Sequence, residues 1–263
     1  MTSNLVVSVS GKGGVGKTTT TALLLKYFVE KRVEPILVVD ADPDSNMPDV
    51  LGIKLDPRQT VGAVAADLKK KIEKGSLSPT QTKAQILEGG VYSVLQEEEH
   101  FDLLVMGRAE GEGCYCYINS VLTGLLDTLT KQYPVTLMDM EAGLEHLSRR
   151  TDRDVDAQIV VTDASKMGLQ TAERVVELSE EVHLKFKSVW IVGNRFPESA
   201  KPLLREVVDR IRERGLNHVE LAGFIPADDQ VAQFNITDRS LLELPEGNPA
   251  YVAVRGLAQK ILP

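Results

Sequence analysis

Cysteine is nearly missing: the 263 residues hold two, Cys114 and Cys116. That count excludes a disulfide framework. A pair so close together suits the reducing cytosol, where thiols serve metals or redox chemistry, and a cytoplasmic protein is expected. Long apolar runs are absent too. No stretch reaches the roughly 18 apolar residues of a spanning helix, so no transmembrane segment is expected. Met1-Thr2-Ser3-Asn4 has no cationic stretch leading into an apolar run, and no signal peptide is expected. Basic charge is in deficit, with 30 Lys and Arg against 38 Asp and Glu and a formal net charge of −8. Broad nucleic-acid binding needs a basic field to displace phosphate counterions, and this chain lacks one. No internal repeat, low-complexity tract or linker is visible. The remainder, 43% hydrophobic and 26% charged, is globular material sufficient for a core.

Apolar runs alternate with segments of helical period. Strands are expected at Leu5–Val9, Pro35–Val39, within Gln132–Met140, at Gln158–Val161, Val189–Val192 and Val219–Phe224. Helices are expected from Gly16 to Arg32, Ile118 to Leu129, Met167 to Glu181, Lys201 to Arg214 and Ala250 to Ile261. Almost fully apolar strands alternating with helices predict an α/β fold, a mostly parallel sheet with helices on both faces. One domain over 1–263 is the simplest organisation. The stretch from Leu55 to Gly113 is less regular, with Lys69-Lys70-Lys71 and Glu97-Glu98-Glu99, and reads as a peripheral, partly helical section leading to the cysteine pair.

Gly11-Lys12-Gly13-Gly14-Val15-Gly16-Lys17-Thr18 matches the phosphate-loop pattern G-x-x-x-x-G-K-(S/T). It lies where the mechanism requires, directly after a strand and opening a helix. By chance its fixed residues arise in about one chain in a hundred of this length. Glycines let backbone N–H groups wrap phosphates, and the helix N-terminus adds partial positive charge. Lys17 is expected on the β- and γ-phosphates and Thr18 on Mg²⁺, with Thr19 beside it. The chain therefore reads as a P-loop NTPase.

Lys12, just after the first glycine, resembles the deviant Walker A motif of septum-site, chromosome-partition and nitrogenase-iron-protein ATPases. In that family two subunits face each other across the nucleotides. The resemblance implies a nucleotide-dependent homodimer in which Lys12 crosses to the partner's phosphates, where a cation stabilises developing charge. Asp42-Pro43 resembles the first switch, whose aspartate orients the attacking water and approaches Mg²⁺. Asp40 points the same way by period two, and Asp44 is equally a turn residue. Asp139 closes an apolar strand as a Walker B acid near Mg²⁺. Asp139-Met140-Glu141-Ala142-Gly143 resembles the second switch, although Glu141 stands where a smaller residue is usual. Asn194 resembles the asparagine that reads the base. The following Arg195-Phe196-Pro197 lacks the carboxylate that binds guanine, so ATP and ADP are favoured. Pro226 and Asp228 resemble a base-edge loop, and a turn with an N-cap aspartate explains them as well.

Cys114 and Cys116 point to one side in an extended segment. Two thiolates fill half of a tetrahedral metal set, and a symmetric dimer would supply the other half. Gly113-Cys114-Tyr115-Cys116, Asn119 and the stretch Met138 to Leu147 resemble the CooC-type nickel-insertion ATPases that mature carbon monoxide dehydrogenase and acetyl-CoA synthase. That resemblance implies an ATP-dependent metallochaperone carrying Ni²⁺ or Zn²⁺ on the cysteine pair to a client nickel enzyme. Two other readings stay open: an iron–sulfur redox ATPase, and a positioning or partition ATPase acting on DNA or a membrane. The acidic charge argues against DNA, and the final helix, with Arg255 and Lys260 as its cations, makes a poor membrane anchor.

Overall fold

In the computed structural model, residues 4–76, 82–108, 124–141, 155–181, 186–216 and 218–261 are described. An eight-stranded sheet runs through them. Its strands are β1 (Leu5–Ser10), β2 (Ile36–Asp40), β3 (Gln96–Glu97), β4 (Phe101–Val105), β5 (Val135–Asp139), β6 (Val155–Thr162), β7 (Phe186–Asn194) and β8 (Val219–Ile225). They lie in the order β3-β4-β2-β5-β1-β6-β7-β8. Every pairing is parallel except the short β3–β4 contact at the edge.

The helices are α1 (Lys17–Glu30), α2 (Met47–Val50), α3 (Val61–Glu73), α4 (Lys83–Ser93), α5 (Lys166–Glu181), α6 (Lys201–Glu213), α7 (Asp229–Ile236) and α8 (Pro249–Ile261). Residues 124–130 are also helical. The strands are apolar on both sides because helices cover both sides. Val7, Val9, Ile36 and Val38 pack with Leu23, Leu24 and Phe28 of α1 and with Tyr251 and Val254 of α8. Their neighbours Val6, Leu37 and Val39 face Ala65 and Leu68 of α3, Leu87 of α4 and Leu129. On the β6–β8 side of the sheet, Val160, Val189 and Ile191 meet Val175 and Val176 of α5 and Leu204 and Val208 of α6. The single-domain P-loop NTPase architecture is thus present, a mostly parallel sheet between helical layers.

The stretch 55–113 holds a strand that its irregular pattern concealed. Phe101–Val105 pairs in parallel along the whole of β2, with Val39 opposite Leu104 and Asp40 opposite Val105. Leu103, Leu104 and Val105 are buried in the two core layers. The sheet extends past β2 by this strand, so the section is only partly peripheral. Register places the site. Asp139 pairs with Val9 of β1 on one side and with Asp40 of β2 on the other. The carboxyl ends of three central strands therefore finish level, where ligands bind in such sheets.

Candidate nucleotide site

The phosphate loop joins the end of β1 to the start of α1. Its backbone needs glycine at two places in particular. Gly11, with φ of 144°, lies so close to the Val161 carbonyl of β6 that a Cβ would sit 2.1 Å from its oxygen. Gly16, with φ of 96°, precedes α1, and a Cβ there would fall 2.3 Å from Asn194 Nδ2. An L side chain is strained at these angles whatever the space. The close approach also fixes the loop against β6 and β7.

Four expected side chains meet at this edge. Lys17 Nζ stands 3.5 Å from Asp42 Oδ2, and both residues are buried. Thr18 Oγ1 donates to Asp139 Oδ2 at 2.6 Å. Asp139 Oδ1 is buried with no hydrogen-bond partner. A buried, unsatisfied carboxylate oxygen beside a threonine hydroxyl and a second carboxylate is a hard oxygen donor set, and it fits Mg²⁺. Burial raises the Asp139 carboxyl to about 6, against the Thr18 hydrogen bond and the Lys17 charge, which lower it. A divalent cation there would favour its ionised form.

Asp40 is placed differently from Asp42. It is fully buried, and its two oxygens accept from Asp42 N at 3.2 Å and Met47 N at 2.9 Å. It pins both ends of the loop that carries Asp42 and Asp44. Burial raises its carboxyl to about 7, with the charges of Asp139 and Asp42 adding to the rise. Asp44 is exposed and pairs with Arg108 at 2.6 Å.

Beside the loop opens a cleft of about 400 Å³. The loop residues Gly13, Gly14, Gly16, Lys17, Thr18 and Thr19 line it together with Asn194, Arg195, Pro226 and Asp228. Asn194 is buried and donates from Nδ2 to the Val15 carbonyl at 2.7 Å. Arg195, at φ of 57°, donates to the Gly14 carbonyl at 2.6 Å. Both therefore brace the loop as well as facing the cleft. Asp228 is the N-cap of α7, accepting from Val231 N at 2.9 Å, so the capping explanation holds for it. Lys12 is half-buried and does not line the cleft. Glu141 is exposed just past β5, and Gly143 lies outside the described residues.

One carboxylate near the loop escaped the sequence reading. Asp163 follows β6 by one residue and accepts from Ser165 N at 3.1 Å and Ser165 Oγ at 2.5 Å. Burial opposes its ionisation, but these bonds, with the charges of Lys12 and Arg195, hold its carboxyl below the usual value. The signal that would have found it is the rule that found Asp42 and Asp139, a carboxylate just beyond an apolar strand. A larger groove, about 1240 Å³, lies away from this chemistry between α3, α4 and the loop after α2.

Residues 6–241 match the CobQ/CobB/MinD/ParA nucleotide binding domain family. An uncharacterized ATP-binding protein of Methanocaldococcus jannaschii is 44% identical over 98% of both chains. The carbon monoxide dehydrogenase accessory protein CooC of Rhodospirillum rubrum is 27% identical, over 98% of this chain and 97% of its own. Among solved structures, a ParA family ATPase of Chlorobium tepidum superposes with a TM-score of 0.69 at 16% identity, covering 98% of this chain and 99% of that one. MinD cell division proteins share the fold as well.

The nickel metallochaperone expectation is corrected here. Cys114 and Cys116 lie outside the described residues. Among the described residues no group of three or more His, Cys, Asp or Glu side chains is placed to hold a metal ion. Among the solved structures that share the fold are MinD cell division proteins and a ParA family ATPase. Two thiols per chain are half of a metal set, and nothing else described completes it. Ni²⁺ or Zn²⁺ cargo and a client nickel enzyme therefore lose their support. Among the described residues no helix is long and apolar enough to cross a membrane. The phosphate loop, the strand-end aspartates and the match over most of the chain converge: this protein is a P-loop ATPase of the CobQ/CobB/MinD/ParA family, with the deviant Walker A lysine at position 12.

Proposed function

We propose that the chain is an ATP-operated switch of the positioning and partition type, a homodimer when ATP is bound and separated after hydrolysis, whose two states are read by a protein partner. The observation that carries this reading is the meeting of Lys17, Thr18, Asp42 and Asp139 at one sheet edge. Lys17 neutralises charge on the β- and γ-phosphates, and it must leave its contact with Asp42 to do so. The Asp42 carboxylate, released from that ion pair, is then placed to orient the attacking water. Thr18, Asp42 and Asp139 would hold Mg²⁺, which would offset phosphate charge. Asn194, Arg195, Pro226 and Asp228 enclose the base end.

Lys12 is half-buried and is not among the side chains lining its own cleft, which suits a cation that serves the other subunit. The loop between β2 and α2 supplies the state change, because the residue that meets Lys17 is tied through Asp44 and Asp40 to the start of α2. A protein partner is favoured because one solved relative is a MinC:MinD complex and because a charge of −8 disfavours DNA.

The test is equilibrium binding of ATP and ADP with Mg²⁺, together with phosphate release. Loss of the charge-assisted contacts in Lys17→Ala is expected to weaken nucleotide binding about 10–100-fold and to abolish turnover. Unchanged affinity and turnover in that variant would refute the site.

A further inference from the structure

We propose that Asn248 is a positioning residue for the base pocket, holding the Asp228 carboxylate so that the pocket takes adenine and refuses guanine. This rests on the reading of the cleft as the nucleotide site. Asn248 is 3% exposed and uses every polar atom it has. Its Nδ2 donates to Asp228 Oδ1 at 3.0 Å and to Gln230 Oε1 at 3.2 Å. Its Oδ1 accepts from Tyr251 N at 3.0 Å, and its carbonyl accepts from Val252 N at 2.8 Å, so it caps α8. Asp228 Oδ1 also accepts from Val231 N at 2.9 Å and caps α7. One buried side chain thereby joins the starts of two helices. Asp228 and Val231 from one start and Ala250 from the other line the same cleft as Lys17, whereas Asn248 stands behind them.

The consequence is chemical. Guanine presents N1–H and an N2 amine side by side, a donor pair that a carboxylate accepts through both oxygens. Adenine presents an acceptor at N1 and cannot make that pair. A free Asp228 at the base end would thus read guanine. The cleft's other carboxylates, Asp42 and Asp44, stand at the phosphate end. Here Asp228 Oδ1 already receives two donors, from Val231 and Asn248, which fix the carboxylate as a helix cap and leave no bidentate face for the base. Asn248 supplies the donor that turns a guanine reader into a structural residue.

Asn248→Ser separates the two jobs, since a serine oxygen still caps α8 but no amide reaches Asp228. Dissociation constants for ADP and GDP with Mg²⁺ are measured by titration calorimetry on the full chain, with a thermal melt as the control for folding. The preference for ADP is expected to fall about tenfold or more through tighter GDP binding. The Asn248→Ser/Asp228→Asn double variant is expected to recover the preference. Should the serine variant not fold, Asn248→Asp keeps the cap and repels Asp228, and it is expected to erode the preference likewise. An unchanged preference with normal Lys17-dependent ADP binding, or equal losses for both nucleotides, would overturn the proposal alone. Wild-type ADP binding that ignores Lys17→Ala would overturn the cleft reading and this proposal with it.

Discussion

At the residue scale the two buried strand-end aspartates contribute a distinct pH dependence to the nucleotide-free protein. Burial raises Asp40 to about 7 and Asp139 to about 6. Between the unfolded value near 3.8 and these folded values, the native state holds more protons than the unfolded chain. Their contribution to stability is therefore fully present at low pH and is lost as pH rises through that window. Asp40→Asn removes one titration and is expected to flatten the fall in melting temperature between about pH 4 and about pH 7 relative to wild type. A parallel shift with unchanged slope would show that Asp40 does not carry the effect. Addition of Mg²⁺ and nucleotide should lessen the Asp139 share, since a cation favours the ionised carboxylate. The placement of Lys17, Thr18 and Asp139 at one edge was legible in sequence because their spacing to strand and helix fixes it. Asp40 was legible only in direction: strand periodicity aimed it at the site, but not that its oxygens would be taken by Asp42 N and Met47 N. Asn194 and Arg195 hid their contacts with the loop carbonyls, because partners 179 and 181 residues apart leave no local trace.

At the scale of elements, the lesson lies in β4. Phe101–Val105 is a short apolar run bounded by Glu97-Glu98-Glu99 and Gly107, and its acidic flank masked it. The long periodic elements α5, α6 and α8 were readable because each shows one apolar stripe over three or more turns. A five-residue buried strand has too few positions to announce its period. The distinction has a measurable consequence. Leu104 is 1% exposed and packs among Leu37, Val39, Leu68 and Leu87. Leu104→Ala is expected to cost about 2–5 kcal/mol in denaturant unfolding, the range for truncating a core leucine. A cost well under that range would mean that this strand is peripheral after all. The start of α3 depends on the same strand: Gly62 N donates to the Met106 carbonyl at 2.8 Å, and a Cβ at Gly62 would stand 2.4 Å from the Arg108 carbonyl oxygen.

For the whole molecule, the level ends of β1, β2 and β5 place the phosphate loop, Asp42 and Asp139 along one rim. This much followed from strand alternation and three short motifs. Function did not follow as directly: the cysteine pair weighed heavily in sequence, yet a metal site is a property of several residues in space, and the described residues bring no such set together. The function proposed for this rim is a switch that is completed by a second copy. The account rests on Lys12 acting across that pair, so oligomeric state against nucleotide is the direct measurement, made by light scattering on the eluting protein with ADP or with ATP, for wild type and Lys12→Ala. Wild type should be a dimer with ATP and a monomer with ADP, while Lys12→Ala should still bind ATP yet stay monomeric and hydrolyse it poorly. A wild-type chain that remains monomeric with ATP, or a Lys12→Ala variant that dimerises and turns over normally, would contradict the account.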